Sequence, residues 1–191
     1  MAGWRRLYKR EWKPAKERVE YVKQKVESWH PKLRVKIGFM ADSTQQILAG
    51  MPEGHEMGEP DLKVLLKKKH IANIEVTGSW INIRDGTLWV RPDKIKWVKE
   101  HLIPKTWIWF VYKDKEFVMT AVDVDQYPIE EINIKGVIER YHTIPQVGTL
   151  PIDSLKEFLL SSCRKPRHSG WWGRQLLFLP ILSIFFFVKS F

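Results

Sequence analysis

The stretch that decides the fold runs from residue 59 to residue 79 and reads EPDLKVLLKKKHIANIEVTGS. Two segments rich in apolar residues, Asp61–Leu66 and Ile71–Thr77, are separated by the three lysines Lys67–Lys69. Two short runs of this kind around a polar turn are typical of a β-hairpin. The sequence therefore predicts a strand on each side of the lysines and antiparallel pairing between the two strands.

Two carboxylates occupy matching positions in this hairpin. Asp61 begins the first strand, and Glu75 lies near the end of the second. Because residues two apart share a face of a strand, Asp61 points the same way as Lys63, and Glu75 the same way as Thr77. If the register is favourable, the two carboxylates converge at one end of the hairpin. A pair of carboxylates there would suit Mg²⁺ or Mn²⁺, which prefer oxygen ligands, and the metal would help to generate an attacking hydroxide.

The flanking sequence alternates helical and extended patterns. Apolar residues recur at spacings of three and four between Pro14 and Trp29, which indicates an amphipathic helix that begins at Pro14. The other expected elements are a strand over Leu33–Ile37, a brief helix over 42–48, a helix from Pro92 to about His101, a buried strand over Thr106–Tyr112, strands over Phe117–Val122 and Val137–Ile144, and a helix from Asp153 or Ser154 to about Leu160. This order predicts an α/β (α+β) domain with a central mixed sheet flanked by helices.

The motif and its surroundings resemble the PD-(D/E)xK nuclease superfamily, which includes many restriction endonucleases and the archaeal Holliday-junction resolvases. In that superfamily the motif lies on a hairpin between a leading helix and a following helix–strand unit, and residues from about 14 to 125 match that order. The resemblance implies a restriction endonuclease-like fold, metal-dependent phosphodiester hydrolysis and a homodimer. It also implies nucleic acid as the partner, with DNA expected rather than RNA. It implies Asp61 and Glu75 as catalytic metal ligands, with Glu20 of the leading helix as a third, although a glutamate on a polar helix face is more often only solvated.

The chain departs from the motif at its third residue, where the superfamily has lysine and this sequence has Thr77. The motif lysine orients or activates the attacking water, and the neutral hydroxyl of Thr77 can line the site but cannot supply that charge. Lys63, on the same face as Asp61, is a candidate replacement, and Lys94 or Lys96 on the following helix is another. If none reaches the site, the chain is a catalytically inactive nucleic-acid-binding or scaffold protein of the same fold.

The positive charge of the chain is concentrated at its ends. The net charge is +10, residues 1–36 hold 12 Lys/Arg and 4 Asp/Glu, and residues 163–191 hold 5 Lys/Arg and no acid. Such an arrangement suits a protein that binds phosphates at its edges, although it is also typical of a surface adjusted for solubility. Residues 1–13 are interpreted as a basic aromatic arm that either binds nucleic acid or packs on the domain. The cations expected to bind nucleic acid are Arg5, Arg6, Lys9, Arg10 and Lys13.

The remaining chain divides into a nuclease-like domain over 14–162 and a basic, then hydrophobic, tail over 163–191. A single cysteine, Cys163, fits a reducing compartment, so we expect a cytoplasmic protein. The apolar run 176–188 has 13 residues, fewer than the roughly 20 that a spanning helix needs. Residues 171–191 could still form a peripheral or tail anchor at a membrane, pack on the domain or a partner, or have no role in the function.

Overall fold

The computed structural model describes residues 2–38, 40, 53–80, 83, 86–101, 105–134 and 136–164. The helix expected over 42–48 and the tail segment 171–191 lie outside these residues. None of the helices within the described ranges combines the length and the apolarity that crossing a bilayer requires.

A five-stranded mixed sheet forms the centre of the domain. Its strands are β1 (Leu33–Ile37), β2 (Leu62–Leu66), β3 (Lys69–Ser79), β5 (Thr106–Tyr112) and β6 (Glu116–Thr120), arranged in the order β1-β2-β3-β5-β6. Neighbouring strands are antiparallel except β3 and β5, which run parallel because the chain crosses over between them. The predicted hairpin is confirmed as the β2–β3 pair, and β5 is the buried strand that its β-branched and aromatic residues predict.

Helices cover both faces of this sheet. They are α1 (Ala2–Trp29), α2 (Pro92–Glu100), α3 (Ala121–Val124) and α4 (Ile152–Cys163). On one face, α1 and α4 bury Val22 and Leu155 against strand residues that include Trp109. On the other face, Ile95 of α2 packs in a second core with Phe110 of β5. The predicted class, a mixed α/β sheet flanked by helices, is therefore confirmed.

A second, three-stranded sheet lies beside the main one. It contains β4 (Thr87–Val90), β7 (Ile129–Ile134) and β8 (Val137–Pro145) in the order β4-β8-β7. The sequence predicts only β8 of these three. The strand β4 has only four residues, too few for a two-residue periodicity to be recognised in the sequence. In β7 the adjacent glutamates Glu130 and Glu131 interrupt the alternation.

Two predicted boundaries are wrong. The first helix begins at Ala2, and Pro14 lies inside it, so the backbone of residues 2–13 continues the helix. Proline is most common in the first turn of a helix, which is why the sequence predicts a start at Pro14. A helix interior can also accept proline, at the loss of one backbone hydrogen bond. The strand expected over Phe117–Val122 ends at Thr120, because the Thr120 hydroxyl accepts a hydrogen bond from the Asp123 amide and caps α3.

Candidate active site

Asp61 and Glu75 meet at the open end of the β2–β3 hairpin. The register pairs Leu62 with Ile74, so the residues just beyond this pair, Asp61 and Glu75, lie opposite each other. Asp61 Oδ2 accepts a hydrogen bond of 2.9 Å from the Val76 amide, which fixes the Asp61 side chain against β3. Glu75 is only 7% exposed. The register is thus the favourable one, and it places two carboxylates in one largely buried position.

Lys94 of α2 provides the positive charge at this position. Its Nζ lies 2.9 Å from Glu75 Oε2 and 3.9 Å from Asp61 Oδ1, and it donates a hydrogen bond of 3.0 Å to the Glu59 carbonyl oxygen. Proline at the start of α2 places Lys94 in the first helical turn, directly above the sheet face that carries Glu75. An ammonium thus reaches the carboxylates from the helix rather than from the motif position.

The loop before Asp61 is held firmly against α2. Gly58 has a φ of +86°, and a side chain there would collide with the carbonyl oxygen of Asp93. Glu56 accepts a hydrogen bond of 3.0 Å from Trp97 Nε1, which adds a second contact between loop and helix. Because this loop leads into Asp61 and its Glu59 carbonyl receives Lys94, it positions the carboxylate and the ammonium together.

Burial and charge alter the protonation of these groups. Burial, and then the charge of Asp61, raise the pKa of Glu75 to about 8, although Lys94 opposes the shift. Burial lowers the pKa of Lys94, but Glu75 and Asp61 outweigh burial and hold that pKa above its ordinary value. Arg91, which follows β4, also acts on both Glu75 and Lys94 through its charge. Lys94 is therefore charged at neutral pH, while Glu75 takes up a proton readily.

The structure separates the three candidate lysines. Lys63 Nζ contacts Glu59 Oε1 at 2.5 Å, outside the Asp61–Glu75 pair. Lys96 is exposed and contacts Glu100 at 3.8 Å. Of the three, Lys94 is the one that the structure brings to the carboxylates.

Thr77 and Glu20 make other contacts. The Thr77 hydroxyl donates to the Trp89 carbonyl oxygen at 3.4 Å and so joins β3 to β4. Glu20 lies on α1, which packs on the opposite face of the sheet, and pairs with Lys23 at 3.5 Å. The structure thus keeps Thr77 two residues from Glu75 on the same strand face but does not bring Glu20 to the cluster. The arm residues Arg5, Arg6, Lys9 and Arg10 have no described side chains, and Lys13 is exposed.

Sequence reasoning overlooked Glu59 and Arg91. Glu59 directly precedes the Pro60-Asp61 motif, and its carboxylate is held by Lys63 and by His55 at 2.7 Å. Arg91 directly precedes the proline that begins α2, and it pairs with Asp93. The sequence signals that could have identified them were the position of Glu59 directly before the motif and that of Arg91 directly before the start of α2.

The residues present fit a divalent metal ion. Glu75 Oε2 is buried and has no hydrogen bond of good geometry within the described residues, although Lys94 Nζ lies beside it. No third His, Cys, Asp or Glu of the described residues joins the pair. Because Mg²⁺ commonly binds through one or two carboxylates and keeps several waters, Asp61 and Glu75 would be the residues that hold it.

Comparison of the sequence with known protein families and with curated proteins finds no match. Among solved structures, Hjc, a Holliday junction resolvase from the archaeal hyperthermophile Archaeoglobus fulgidus, is 12% identical with a TM-score of 0.44; the match covers 73% of this chain and 98% of the resolvase. A nuclease from a fusselovirus is 15% identical with a TM-score of 0.47, over 78% of this chain and 93% of that one. The chemistry of this chain is inferred from the residues of its own site.

Proposed function

We propose that this protein is a metal-dependent nuclease that hydrolyses phosphodiester bonds at the Asp61–Glu75–Lys94 cluster. One observation carries the proposal: two carboxylates on adjacent strands and one lysine converge in a largely buried position, with 2.9 Å between Lys94 Nζ and Glu75 Oε2. Burying charged groups costs free energy, so a buried cluster of ionisable side chains in a cleft is a candidate functional site. Carboxylates with an adjacent cation are the groups that metal-assisted phosphodiester hydrolysis requires.

Each residue has a distinct role in this proposal. Asp61 and Glu75 would hold Mg²⁺ or Mn²⁺, which when bound supplies an activated water and neutralises charge on the phosphate. Lys94 orients that water and stabilises the negative charge that develops on the phosphate oxygens. Thr77 lines the site through the β3 face that it shares with Glu75. Lys94 thus takes the place of the motif lysine, because Thr77 occupies the motif position in this chain.

The second candidate is a catalytically inactive nucleic-acid-binding or scaffold protein of the same fold. The observation in its favour is that Lys94 already neutralises Glu75 directly. If that ion pair is too stable for a metal to displace, the cluster serves only to hold α2 on the sheet.

A metal titration of thermal stability separates the two candidates. We expect millimolar Mn²⁺ or Mg²⁺ to raise the Tm of the wild type, because a ligand that binds only the folded state stabilises it. The shift should disappear in D61A and persist in E157Q, which alters an exposed carboxylate of α4. An equal shift in D61A, or none in the wild type, would favour the inactive protein.

We further propose DNA as the nucleic acid, a homodimer as the working unit, a cytoplasmic location and attachment to a membrane surface through residues 171–191. The composition of the tail supports the last of these proposals. Truncation after Ser169 should abolish any dependence of solubility on detergent, which sedimentation with and without detergent would measure. A full-length chain that is soluble without detergent, like the truncated one, would show that residues 171–191 do not attach the protein to a membrane.

A further inference from the structure

The sheet face beside the cluster is strongly basic. In β1, Leu33 and Val35 point into the core, so Arg34 and Lys36 are exposed on the opposite face, the one that carries Glu75. Lys63 of β2 lies on that face as well, and the hairpin turn beyond it is formed by exposed lysines. We call this surface the basic strip; its members are Arg34, Lys36, Lys63, Lys67 and Lys68.

The strip contains a like-charge pair. Lys36 and Lys63 are direct partners in the β1–β2 register. Residues directly opposite on antiparallel strands have Cβ atoms roughly 5 Å apart, and like charges there destabilise the sheet. Glu59 offsets the charge of Lys63, but no ion pair joins Lys36 to an acidic residue within the described part of the chain. The fold alone gives no reason for this pair.

The turn of the hairpin is a second unfavourable feature. Leu66 pairs with Lys69, so the loop has two residues, Lys67 and Lys68, with φ values of +47° and +72°. Two-residue hairpin loops with positive φ at both positions strongly favour Asn-Gly, because glycine has no Cβ atom and the short side chain of asparagine can hydrogen-bond to the nearby backbone. Lysines therefore occupy two positions where asparagine and glycine would be more stable, and strain of this kind is typical of functional sites.

The two features have one explanation. We propose that the basic strip binds the sugar–phosphate backbone of the nucleic acid on one side of the cleavage position. At about 3.3 Å per strand residue, the turn lies roughly 13 Å along β2 from Lys63, a span of about four nucleotides of duplex. The backbone enters at the Asp61–Glu75–Lys94 cluster, runs along β1 and β2, and reaches the turn. This inference rests on the proposed function, since it names the path of the same substrate.

The test replaces the strained lysines by the residues that the turn prefers. In K67N/K68G we expect a higher Tm than in the wild type, because the strain at both positions is relieved. Binding to a labelled 30-base-pair DNA duplex, measured without metal by fluorescence anisotropy, should weaken about tenfold, and the slope of log K against log salt should fall by roughly two. The matched control is K113N/K115N, which removes two exposed lysines from the turn between β5 and β6 and should keep the affinity and slope of the wild type.

The outcomes separate this inference from the proposed function. Unchanged affinity and slope in K67N/K68G would show that the basic strip does not bind the DNA backbone, whether or not the wild type cleaves DNA. If the wild type binds DNA but does not cleave it, and K67N/K68G loses binding, the basic strip is a nucleic-acid-binding surface and the proposed nuclease activity is wrong. If K67N/K68G binds DNA normally but loses binding to phosphatidylserine vesicles, the strip is a membrane surface and the inference is wrong.

Discussion

Glu75 has the most unusual environment of any residue in the candidate site. The ionised form of a carboxyl group that is 7% exposed and lies beside a second carboxylate is normally unfavourable. The charge of Lys94 offsets this penalty only in part, because the pKa of Glu75 stays raised. The pKa of about 8 means that Glu75 releases its proton in the physiological range. A metal ion bound by Glu75 would favour the ionised form, so metal affinity is coupled to this proton.

The pH dependence of stability tests that environment. Because the folded-state pKa of Glu75 is raised to about 8, its contribution to the free energy of unfolding is complete below about pH 4 and is lost as the pH rises through 8. We expect the Tm of the metal-free wild type to fall between pH 5 and pH 8 more steeply than that of E75Q, as measured by differential scanning fluorimetry. E157Q should keep the wild-type slope, and an equal slope in E75Q would contradict the assignment.

At the scale of elements, the site is formed by the contact between α2 and the loop over 53–60. The close backbone approach at Gly58 and the hydrogen bond from Lys94 to the Glu59 carbonyl join the two segments. Since Asp61 follows the loop and Lys94 belongs to the helix, their separation depends on this contact as well as on the hairpin.

Two glycines of the loop provide a matched pair for testing this contact. Both have positive φ, +79° at Gly54 and +86° at Gly58, but only at Gly58 would a Cβ atom meet α2, where it would lie 3.1 Å from Trp97 Cβ. We expect G58A to lower the free energy of unfolding by roughly 1–3 kcal/mol more than G54A does. The measurements are urea unfolding and cleavage, and cleavage should fall in G58A alone. Equal effects of the two substitutions would show that the contact does not position Lys94.

The hairpin and its carboxylates were predictable from the sequence because they depend on local signals. Two apolar-rich segments, a polar turn and matched positions for Asp61 and Glu75 lie within 21 consecutive residues. The choice of Lys94 over Lys63 was not predictable, because it depends on the crossover between the parallel strands β3 and β5 and on the docking of α2. The three-stranded sheet was overlooked for a related reason: tertiary pairing forms β4 and β7, which lack strong periodicity of their own.

At the scale of the whole molecule, the two ends of the sequence are basic and its middle is slightly acidic. The first 36 residues carry most of the excess charge, and the basic strip adds lysines directly beside the site. A polyanion attracted by both regions would be brought to the carboxylates, which alone would repel it. The C-terminal half of α1 packs on the sheet face opposite to the strip.

The contribution of the arm can be measured through the salt dependence of binding. We expect R5Q/R6Q/K9Q/R10Q/K13Q to reduce the slope of log K against log salt for duplex DNA by as much as about five, because each phosphate contact contributes roughly one. The Tm should stay close to that of the wild type, since glutamine is a good helix former and the substitutions keep polar side chains in α1. An unchanged slope would assign these cations to solubility.

Cleavage of labelled single-stranded, duplex and branched DNA with Mg²⁺ or Mn²⁺ would show whether the Asp61–Glu75–Lys94 cluster is a nuclease site. We expect cleavage by the wild type and by K63M, and a loss of about a hundredfold or more in D61A and K94M. Cleavage that survives in K94M would contradict the role of this lysine. No cleavage by the wild type on any substrate, with either metal, would contradict the nuclease itself.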